Sequence, residues 1–366
     1  METRADSSRE AGGAFAPEPP VGGGASGEEL GVPKVLALAA GGTIARALAA
    51  AARLGIADRL AAGPLSSGEL AKRTESHPEA LDALLGTLVL AGVLGREADG
   101  AYRLTEDSEV LRSDHPDSLR NTVTLIAETY DDAFRALSTT VRTGESAFPE
   151  VFGRPLYEHL AASPEEERVF DASMAELCRP VAAQLASVYD FSGVRTVVDV
   201  GGGDGTMLGR VLDAHPTLRG VCVDRPSVCE RARREPHPAG DRISFEPADI
   251  FTEIPAGADR YLIKNVLHDW PMERQVRALT VIRRAMAGNA AARLLVIEPM
   301  LEAELAAPHV LAQMVICESG TRGIAEADMR RLLAAAGFTP LSVVPLTGGH
   351  QLFECAPAPA AESATG

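Results

Sequence analysis

The stretch Val197–Gly205 reads Val-Val-Asp-Val-Gly-Gly-Gly-Asp-Gly, so a short β-branched run leads directly into a glycine-rich loop. Glycines let the backbone approach a ligand closely and adopt dihedral angles that other residues disfavour. The loop is not a G-x-G-x-x-G dinucleotide motif, because Thr206 occupies the last position counted from Gly201, and no G-K-[ST] follows to make a P-loop. The spacing is acid-x-G-x-G-x-G, with Asp199 as the acid.

Further short β-branched or apolar runs follow this loop and alternate with helical stretches; they are Gly220–Val223, Ile243–Phe245, Tyr261–Ile263 and Leu294–Ile297. Such alternation predicts an α/β fold, a mostly parallel Rossmann-like sheet with helices on both faces. Ligands of these sheets bind at the carboxyl ends of the strands. We therefore predict a catalytic domain over residues 191–355.

Carboxylates stand at the ends of the two runs that follow the loop. Asp224 lies 21 positions after Gly203, where it can accept hydrogen bonds from both hydroxyls of a ribose. Asp249 follows the next run and is placed to accept from an adenine amino group. A turn aspartate is the alternative for each alone. Together with the acid-x-G-x-G-x-G loop, they predict S-adenosylmethionine (SAM) as the ligand.

Residues 34–115 have the pattern of a winged helix. Apolar residues recur at helical spacing at Ile44, Leu48, Ala51 and Leu54. Further helical segments follow, and Asp99-Gly100 signals a hairpin between two short runs. DNA binding is disfavoured, because the third helix, near Pro78–Ala91, has acidic residues and no Arg or Lys, whereas a recognition helix needs cations. A dimerising module is the better interpretation, and a partner would bury the apolar stripe.

The remaining segments are a helical region and two tails. Residues 116–190 predict a helical linker and substrate-pocket region, in which Phe148, Phe152 and Met174 are candidates for an apolar wall, as is Met314 further on. Residues 1–33 and 356–366 are rich in Gly, Pro, Ala and Ser without a hydrophobic period, so both are predicted to be disordered tails.

Composition excludes several classes of protein. With 35 basic and 51 acidic residues the formal net charge is −16, which repels nucleic acid and anionic membranes. No stretch reaches about 18 consecutive apolar residues, so no transmembrane helix is predicted. No secretory signal is visible at the N-terminus. Five scattered cysteines without a C-x-x-C pair indicate free thiols in a reducing cytoplasm and no metal site.

The segment Lys264–Trp270, Lys-Asn-Val-Leu-His-Asp-Trp, follows the fourth predicted strand. With this segment, the glycine loop and the stretch Phe148–Pro155, the chain resembles the family of plant caffeate-type and hydroxyindole O-methyltransferases. It is more similar still to the bacterial natural-product branch of that family, which acts on polyketides and other secondary metabolites. The resemblance covers about 34 to 355, and it implies a homodimeric, SAM-dependent enzyme with a hydroxylated aromatic or polyketide-type small-molecule substrate.

The resemblance also implies roles for single residues. His268 would be the general base, with Glu298 and Asp269 as further catalytic residues. The residues implied for SAM binding are Asp199, Gly201, Gly203, Asp224, Arg225, Asp249, Ile250 and Lys264. A neutral imidazole suits the task independently of the resemblance, because a phenol with a pKa near 10 must lose its proton as it attacks the methyl group. A structural loop histidine is the alternative.

One departure from the family pattern concerns the second acid beside the base. The family places it in a Gly-Gly-x-Glu-Arg-Thr segment, whereas Gly323 falls at that glutamate in the segment Ser319–Glu326 of this chain. Glu318 is a candidate to compensate. Relatives with altered sites perform decarboxylation, hydroxylation or rearrangement, so non-methylating chemistry with bound SAM is the second hypothesis. A winged-helix regulator that senses a small ligand is the third, and the acidic third helix disfavours it.

Overall fold

The computed structural model describes residues 33–304 and 306–359. The tail predicted at 1–33 lies outside these residues except for Pro33, and so do residues 360–366 of the second tail. The N-terminal helices α1 to α5 are Lys34–Ala39, Gly41–Arg53, Ile56–Leu60, Ser67–Thr74 and Pro78–Leu90. A hairpin of β1 (Leu94–Arg96) and β2 (Tyr102–Leu104) follows, paired antiparallel. Helices followed by a hairpin are the predicted winged-helix layout.

Local sequence explains where α4 begins. The Ser66 hydroxyl accepts a hydrogen bond from the backbone N–H of Glu69 at 3.3 Å, and the Glu69 carboxylate accepts one from the backbone N–H of Ser66 at 3.0 Å. This reciprocal capping box satisfies two backbone donors that a helix start otherwise leaves free. Glu69, the acidic residue of the first turn, is therefore part of the cap.

The apolar stripe of α2, which a partner was predicted to bury, is mostly covered within the protomer. Ala51 is buried, and Leu48 and Leu54 pack against the core of the N-terminal module. Of the four stripe residues, only Ile44 is exposed. The stripe faces inward because α2 packs on α5 and on the helices that follow the hairpin. The apolar surface left open is instead on α1, which has no buried residue.

Helices α1 and α2 together, Lys34–Arg53, are long and apolar enough to cross a membrane by length and composition. Arg46 interrupts this segment, so it does not contain the run of about 18 consecutive apolar residues that the sequence analysis looked for. The side chains argue for packing on protein, because two arginines of α2 bind carboxylates of the helical region. Arg46 pairs with Asp131 at 2.6 Å, and Arg53 pairs with Glu128 at 2.5 Å.

The helical region between the two modules contains α6 to α11, which are Arg120–Leu125, Asp131–Phe134, Leu137–Thr143, Phe148–Phe152, Leu156–Ala162 and Pro164–Val188. A π-helical turn at Ile126–Tyr130 separates α6 from α7, so this part of the helical region is not one continuous α-helix. Helix α11 is 25 residues long, with Pro180 inside it. It packs on α6 and, further along, on the first helix of the catalytic domain.

The catalytic domain contains a mixed seven-stranded sheet in the order β5-β4-β3-β6-β7-β9-β8. Its strands β3 to β9 are Thr196–Val200, Arg219–Asp224, Ile243–Pro247, Arg260–Lys264, Arg293–Pro299, Phe338–Pro345 and His350–Pro357. Helices α12 to α16 are Thr206–Ala214, Pro226–Ala232, Met272–Ala285, Ala306–Ile316 and Glu326–Ala335. Strands β3 to β7 are mutually parallel, which confirms the predicted fold class.

The last two strands were not predicted. β8 pairs with β9, and β9 with β7, both antiparallel. β8 contains Pro340 and Pro345, and prolines argue against a strand unless it lies at the sheet edge, as β8 does. Ala356 and Pro357 pair with β8 as part of β9. The predicted start of the tail at Ala356 is therefore wrong, because the sheet continues to Pro357.

Candidate active site

The glycine loop follows β3 at the carboxyl edge of the sheet. Gly201, Gly203 and Gly205 have φ values of 73°, 62° and 82°, a region that disfavours side chains. A Cβ atom on Gly201 would lie 2.6 Å from a methyl group of Val266, so a side chain would not fit there. The loop thus leaves its backbone open at the edge where the sequence predicted a ligand.

Asp199 lies beneath this loop and is 1% exposed. Its Oδ2 has no hydrogen-bond partner among the described residues, and a Cβ atom on Gly202 would come within 2.7 Å of it. Burial, and then the charge of Asp224, raise the pKa of Asp199 to about 7. A buried carboxylate oxygen without a donor is unfavourable, and a ligand with an ammonium group or hydroxyls would supply one. These features fit SAM.

Asp224 ends β4 beside the loop. Its Oδ2 accepts from the backbone N–H of Gly203 at 2.9 Å, and its Oδ1 accepts from the backbone N–H of Arg225 at 2.7 Å. Each carboxylate oxygen can accept a second hydrogen bond. The side chain is thus fixed in place while it keeps acceptor capacity for two neighbouring hydroxyls, as a ribose would present.

Arg225 belongs to a buried ionic cluster that sequence reasoning missed. Its guanidinium pairs with Glu167 at 2.6 Å and with Asp171 at 3.4 Å. Glu167, 3% exposed, also accepts from Arg231 at 3.1 Å and from the Ser227 hydroxyl at 2.8 Å. This cluster attaches α11 to the start of α13, and hence the helical region to the predicted ribose site. Only packing of α11 on the sheet reveals it.

The other residues predicted for SAM binding lie along the same edge. Asp249 follows β5, but its Oδ1 accepts from the backbone N–H of Phe251 at 2.9 Å, which leaves Oδ2 for a ligand. Ile250 is partly buried against the core of the sheet. Lys264 is the last residue of β6, next to β3. Their roles in binding SAM stay predictions.

His268 lies on a 3₁₀ turn between β6 and α14 and is 8% exposed. Its Nδ1 bonds to Oε2 of Glu298 at 2.5 Å. Glu298, fully buried on β7, also accepts from the backbone N–H groups of Val266 and Leu267 at 2.9 and 2.8 Å. A carboxylate held in this way orients the ring and keeps the proton on Nδ1, which leaves Nε2 as the basic atom.

The environment of His268 also changes its basicity. Burial by itself would lower the pKa, but the charges of Glu298 and Asp269 outweigh it, so the pKa of His268 is raised above 6.5. The histidine is therefore a stronger base than free imidazole. As a consequence it becomes neutral, and able to accept a proton, only at a higher pH.

The second acid beside His268 is Asp269, whose Oδ1 is 3.4 Å from Nε2. Glu318, the candidate substitute, pairs with Arg274 at 2.6 Å instead. Gly323 is packed so that a Cβ atom would lie 2.3 Å from a methyl group of Leu301. An acidic side chain at position 323 would therefore require Leu301 to move.

Two further histidines lie near His268, although the sequence gave them no functional context. The His309 ring on α15 stands edge-on to that of His268 with centroids 5.6 Å apart. His350 on β9 bonds through Nε2 to Oδ1 of Asn265 at 2.9 Å. Partial removal from water and the charge of His268 lower the pKa of His309 to about 4. No spacing signal could have found them, because they come from elements far along the chain.

Most of the residues predicted for the apolar wall share one cluster. Phe148 and Phe152 stack at 4.4 Å, with the His159 ring against both, and Met174 packs in the same cluster. Phe148 is completely buried, which places it behind the wall rather than on its surface. Met314 is partly exposed on α15.

The groups at this edge are a glycine loop over a buried carboxylate, an acid suited to a ribose, and a histidine–carboxylate pair. On a sheet of this order they define a Rossmann-like methyltransferase. Comparison with known families agrees: residues 134–339 match the O-methyltransferase domain, and residues 29–114 match the O-methyltransferase dimerisation domain. The chain belongs to this O-methyltransferase family, and it is a SAM-dependent O-methyltransferase.

Individual relatives give the same result. The chain is 34% identical to an O-demethylpuromycin-O-methyltransferase from Streptomyces alboniger, covering 88% of this chain and 89% of the relative. The structure of NcsB1, an O-methyltransferase from neocarzinostatin biosynthesis solved with S-adenosyl-L-homocysteine and 1,4-dihydroxy-2-naphthoic acid, is 30% identical with a TM-score of 0.72, covering 85% of this chain and 95% of its own. An aclacinomycin 10-hydroxylase from Streptomyces purpurascens is 39% identical over 65% of this chain and 64% of its own.

Helix α1 of the dimerisation domain has an exposed apolar surface. Its large side chains Val35, Leu36 and Leu38 are 80%, 59% and 69% exposed in the single chain. The chain has the dimerisation domain of its family, so we expect a second copy in the homodimer to cover these side chains.

Deletion of residues 34–115 is expected to give an insoluble or inactive protein. The deletion removes the dimerisation domain and leaves Asp131 and Glu128 without their arginine partners. Size-exclusion chromatography with light scattering and a methylation assay would measure the result. Leu38→Glu in the full chain should weaken the dimer without removing the domain. A soluble, monomeric and fully active truncation would contradict the prediction.

Proposed function

We propose that the enzyme transfers the methyl group of SAM to a hydroxyl of an aromatic or polyketide-type small molecule in secondary metabolism, with His268 as the general base. The observation that carries this proposal is the His268–Glu298 pair, which leaves one basic nitrogen at the carboxyl edge of the sheet. The relatives support the substrate class, because one acts on O-demethylpuromycin by name and another was solved with a dihydroxynaphthoic acid.

The chain's own residues perform the steps around the methyl group. SAM, when bound, supplies an electrophilic methyl group on a sulfonium. Asp199, Asp224 and Asp249 would hold its polar groups, and Lys264 its carboxylate. Nε2 of His268 accepts the proton of the attacking hydroxyl, and Glu298 stabilises the imidazolium that forms. A positioned base of this kind contributes about 10²–10⁴-fold to the rate.

The surroundings of His268 favour an aromatic acceptor. Trp270 lies two residues after His268 and stacks on Tyr157 with ring centroids 5.2 Å apart. Phe251 meets Trp270 edge-on, with centroids 4.9 Å apart. Phe152 and Met174 add apolar surface from the helical region. Flat apolar side chains beside a base suit a ring that carries a hydroxyl.

A panel of hydroxylated aromatic and polyketide-type metabolites tests the proposed function. Incubation with isotopically labelled SAM and mass spectrometry should find a product with one labelled methyl group on oxygen. The similarity to a hydroxylase makes non-methylating chemistry the second candidate. It would show as a changed acceptor mass without the label, and that result would overturn the proposal.

We also place the enzyme in the cytoplasm. The described part of the chain contains its five cysteines as free thiols, four of them buried. Unpaired thiols are the usual state in a reducing compartment. Fractionation of cells that produce the protein would test this location.

An Asp224→Ala variant is expected to bind SAM more weakly by about 1.5–3 kcal/mol, which is roughly 10- to 150-fold in Kd, because a hydrogen-bonded charged group is lost. Calorimetry with SAM measures it directly. Asp241→Ala is the matched control, since it removes an exposed carboxylate near the start of β5, at the opposite edge of the sheet. Unchanged SAM affinity in Asp224→Ala would remove the ribose assignment.

A further inference from the structure

Asp269 lies on the side of His268 that faces away from Glu298. Its Oδ1 is 3.4 Å from Nε2, the atom that would accept the proton, and its side chain is 12% exposed. A carboxylate there competes with the acceptor. If Asp269 accepted a hydrogen bond from a protonated Nε2 in a close ion pair, His268 would remain an imidazolium between two carboxylates, and an imidazolium cannot act as a base.

Both oxygens of Asp269 are already engaged by other donors. The Tyr157 hydroxyl donates to Oδ2, and the Cys317 thiol donates to Oδ1 at 3.2 Å. Burial, and then the charge of Asp269, raise the pKa of Tyr157 and of Cys317 well above their ordinary values. Both donors therefore keep their protons over the pH range in which His268 titrates.

Other contacts fix the Tyr157 ring independently of its hydroxyl. The ring stacks on Trp270, with an angle of 13° between the two planes. The Arg225 guanidinium lies 5.3 Å from the centroid of the Tyr157 ring and is itself held by Glu167. A phenylalanine would keep these contacts and lose only the hydrogen bond to Asp269.

We propose that Tyr157 and Cys317 are positioning residues for methyl transfer, which hold the Asp269 carboxylate in place, with Oδ1 3.4 Å from Nε2, and so keep Nε2 of His268 available to the acceptor. This inference rests on the proposed function, because it assumes that His268 is the base. It gives α10 of the helical region, 112 residues before Asp269, a direct part in the site.

Several other titratable groups surround the His268–Asp269 pair. They are Glu298 on β7, Lys264 on β6, His309 on α15, His350 on β9, Tyr130 in the π-helical turn and Arg225 before α13. Substitution of Tyr157 by Phe leaves all of them in place. A change in the titration of His268 therefore reports on Asp269.

The test follows the titration of His268 by NMR in the full-length dimer with labelled histidine, and the His268→Gln variant assigns the signal. In Tyr157→Phe, Asp269 should turn toward Nε2 and raise the pKa of His268 by about one unit. Cys317→Ala should raise it in the same direction, while Cys317→Ser keeps a donor and should hold it near the wild-type value. Tyr189→Phe is the control, because that hydroxyl bonds to Glu354 elsewhere.

Turnover distinguishes positioning from a structural role. With an acceptor found in the metabolite panel, the pH profile of Tyr157→Phe should move upward with the NMR pKa and reach a plateau near that of the wild type. A folded Tyr157→Phe and a folded Cys317→Ala that both titrate like the wild type would overturn the inference. The NMR arm needs no acceptor, so it stays decisive if His268→Gln retains activity and the proposed function fails.

Discussion

A His268→Gln variant is expected to lose turnover by about 10²–10⁴-fold, because glutamine cannot take the proton of the acceptor hydroxyl. Its affinity for SAM should remain near that of the wild type, since Asp199 and Asp224 lie at separate strand ends. Single-turnover kinetics with labelled SAM would measure the rate, and calorimetry the affinity. His77→Gln, at an exposed position before α5, is the matched control.

The pH dependence gives the same test a second readout. Wild-type kcat should fall as the pH falls through the pKa of His268, which the two neighbouring carboxylates raise above 6.5, because only the neutral ring is a base. In His268→Gln the residual rate should instead keep rising with pH as the acceptor ionises unaided. Turnover near the wild-type level would show that proton abstraction is not the role of this residue.

Glu298→Gln is expected to reduce turnover almost as much, by about 10²–10⁴-fold. The amide oxygen can still accept from Val266 and Leu267, but the amide N–H₂ would face Nδ1 and donate to it. The ring proton would then reside on Nε2, and that tautomer cannot accept a proton from the substrate. The equivalent Asp→Asn change in a Ser-His-Asp triad costs about 10⁴ in kcat for the same reason.

Two further variants test the role of Glu298. Glu318→Gln should stay close to the wild type, because Glu318 pairs with Arg274 rather than with His268. The double variant His268→Gln/Glu298→Gln should be little worse than either single variant, since the two residues act as a unit. Full activity in Glu298→Gln, or a large loss in Glu318→Gln, would mean that the wrong acid has been assigned.

Much of the site could be predicted because its parts lie at strand ends. The glycines after β3 and the acid at the end of β4 are local in sequence, and parallel strands bring their carboxyl ends to one edge. The roles of His268 and Glu298 were implied by the family resemblance, and the structure places both residues at this edge, after β6 and near the end of β7. The partners of Asp269 could not be found in this way, because Tyr157 and Cys317 come from helical segments whose packing on the sheet has no short-range pattern.

The sequence by itself determined the parallel sheet, the open glycine loop, the hairpin after α5 and the strand ends at which the chemistry lies. Each depends on side-chain periodicity or on backbone angles that only glycine favours, and these are properties of neighbouring residues. Tertiary structure alone decided that Glu318 pairs with Arg274 rather than with the base, that Gly323 lies against Leu301 and Val310, and that two donors hold Asp269. These outcomes depend on how α10 and α15 pack against the sheet, since side-chain distances between remote segments are set by packing and not by spacing along the chain.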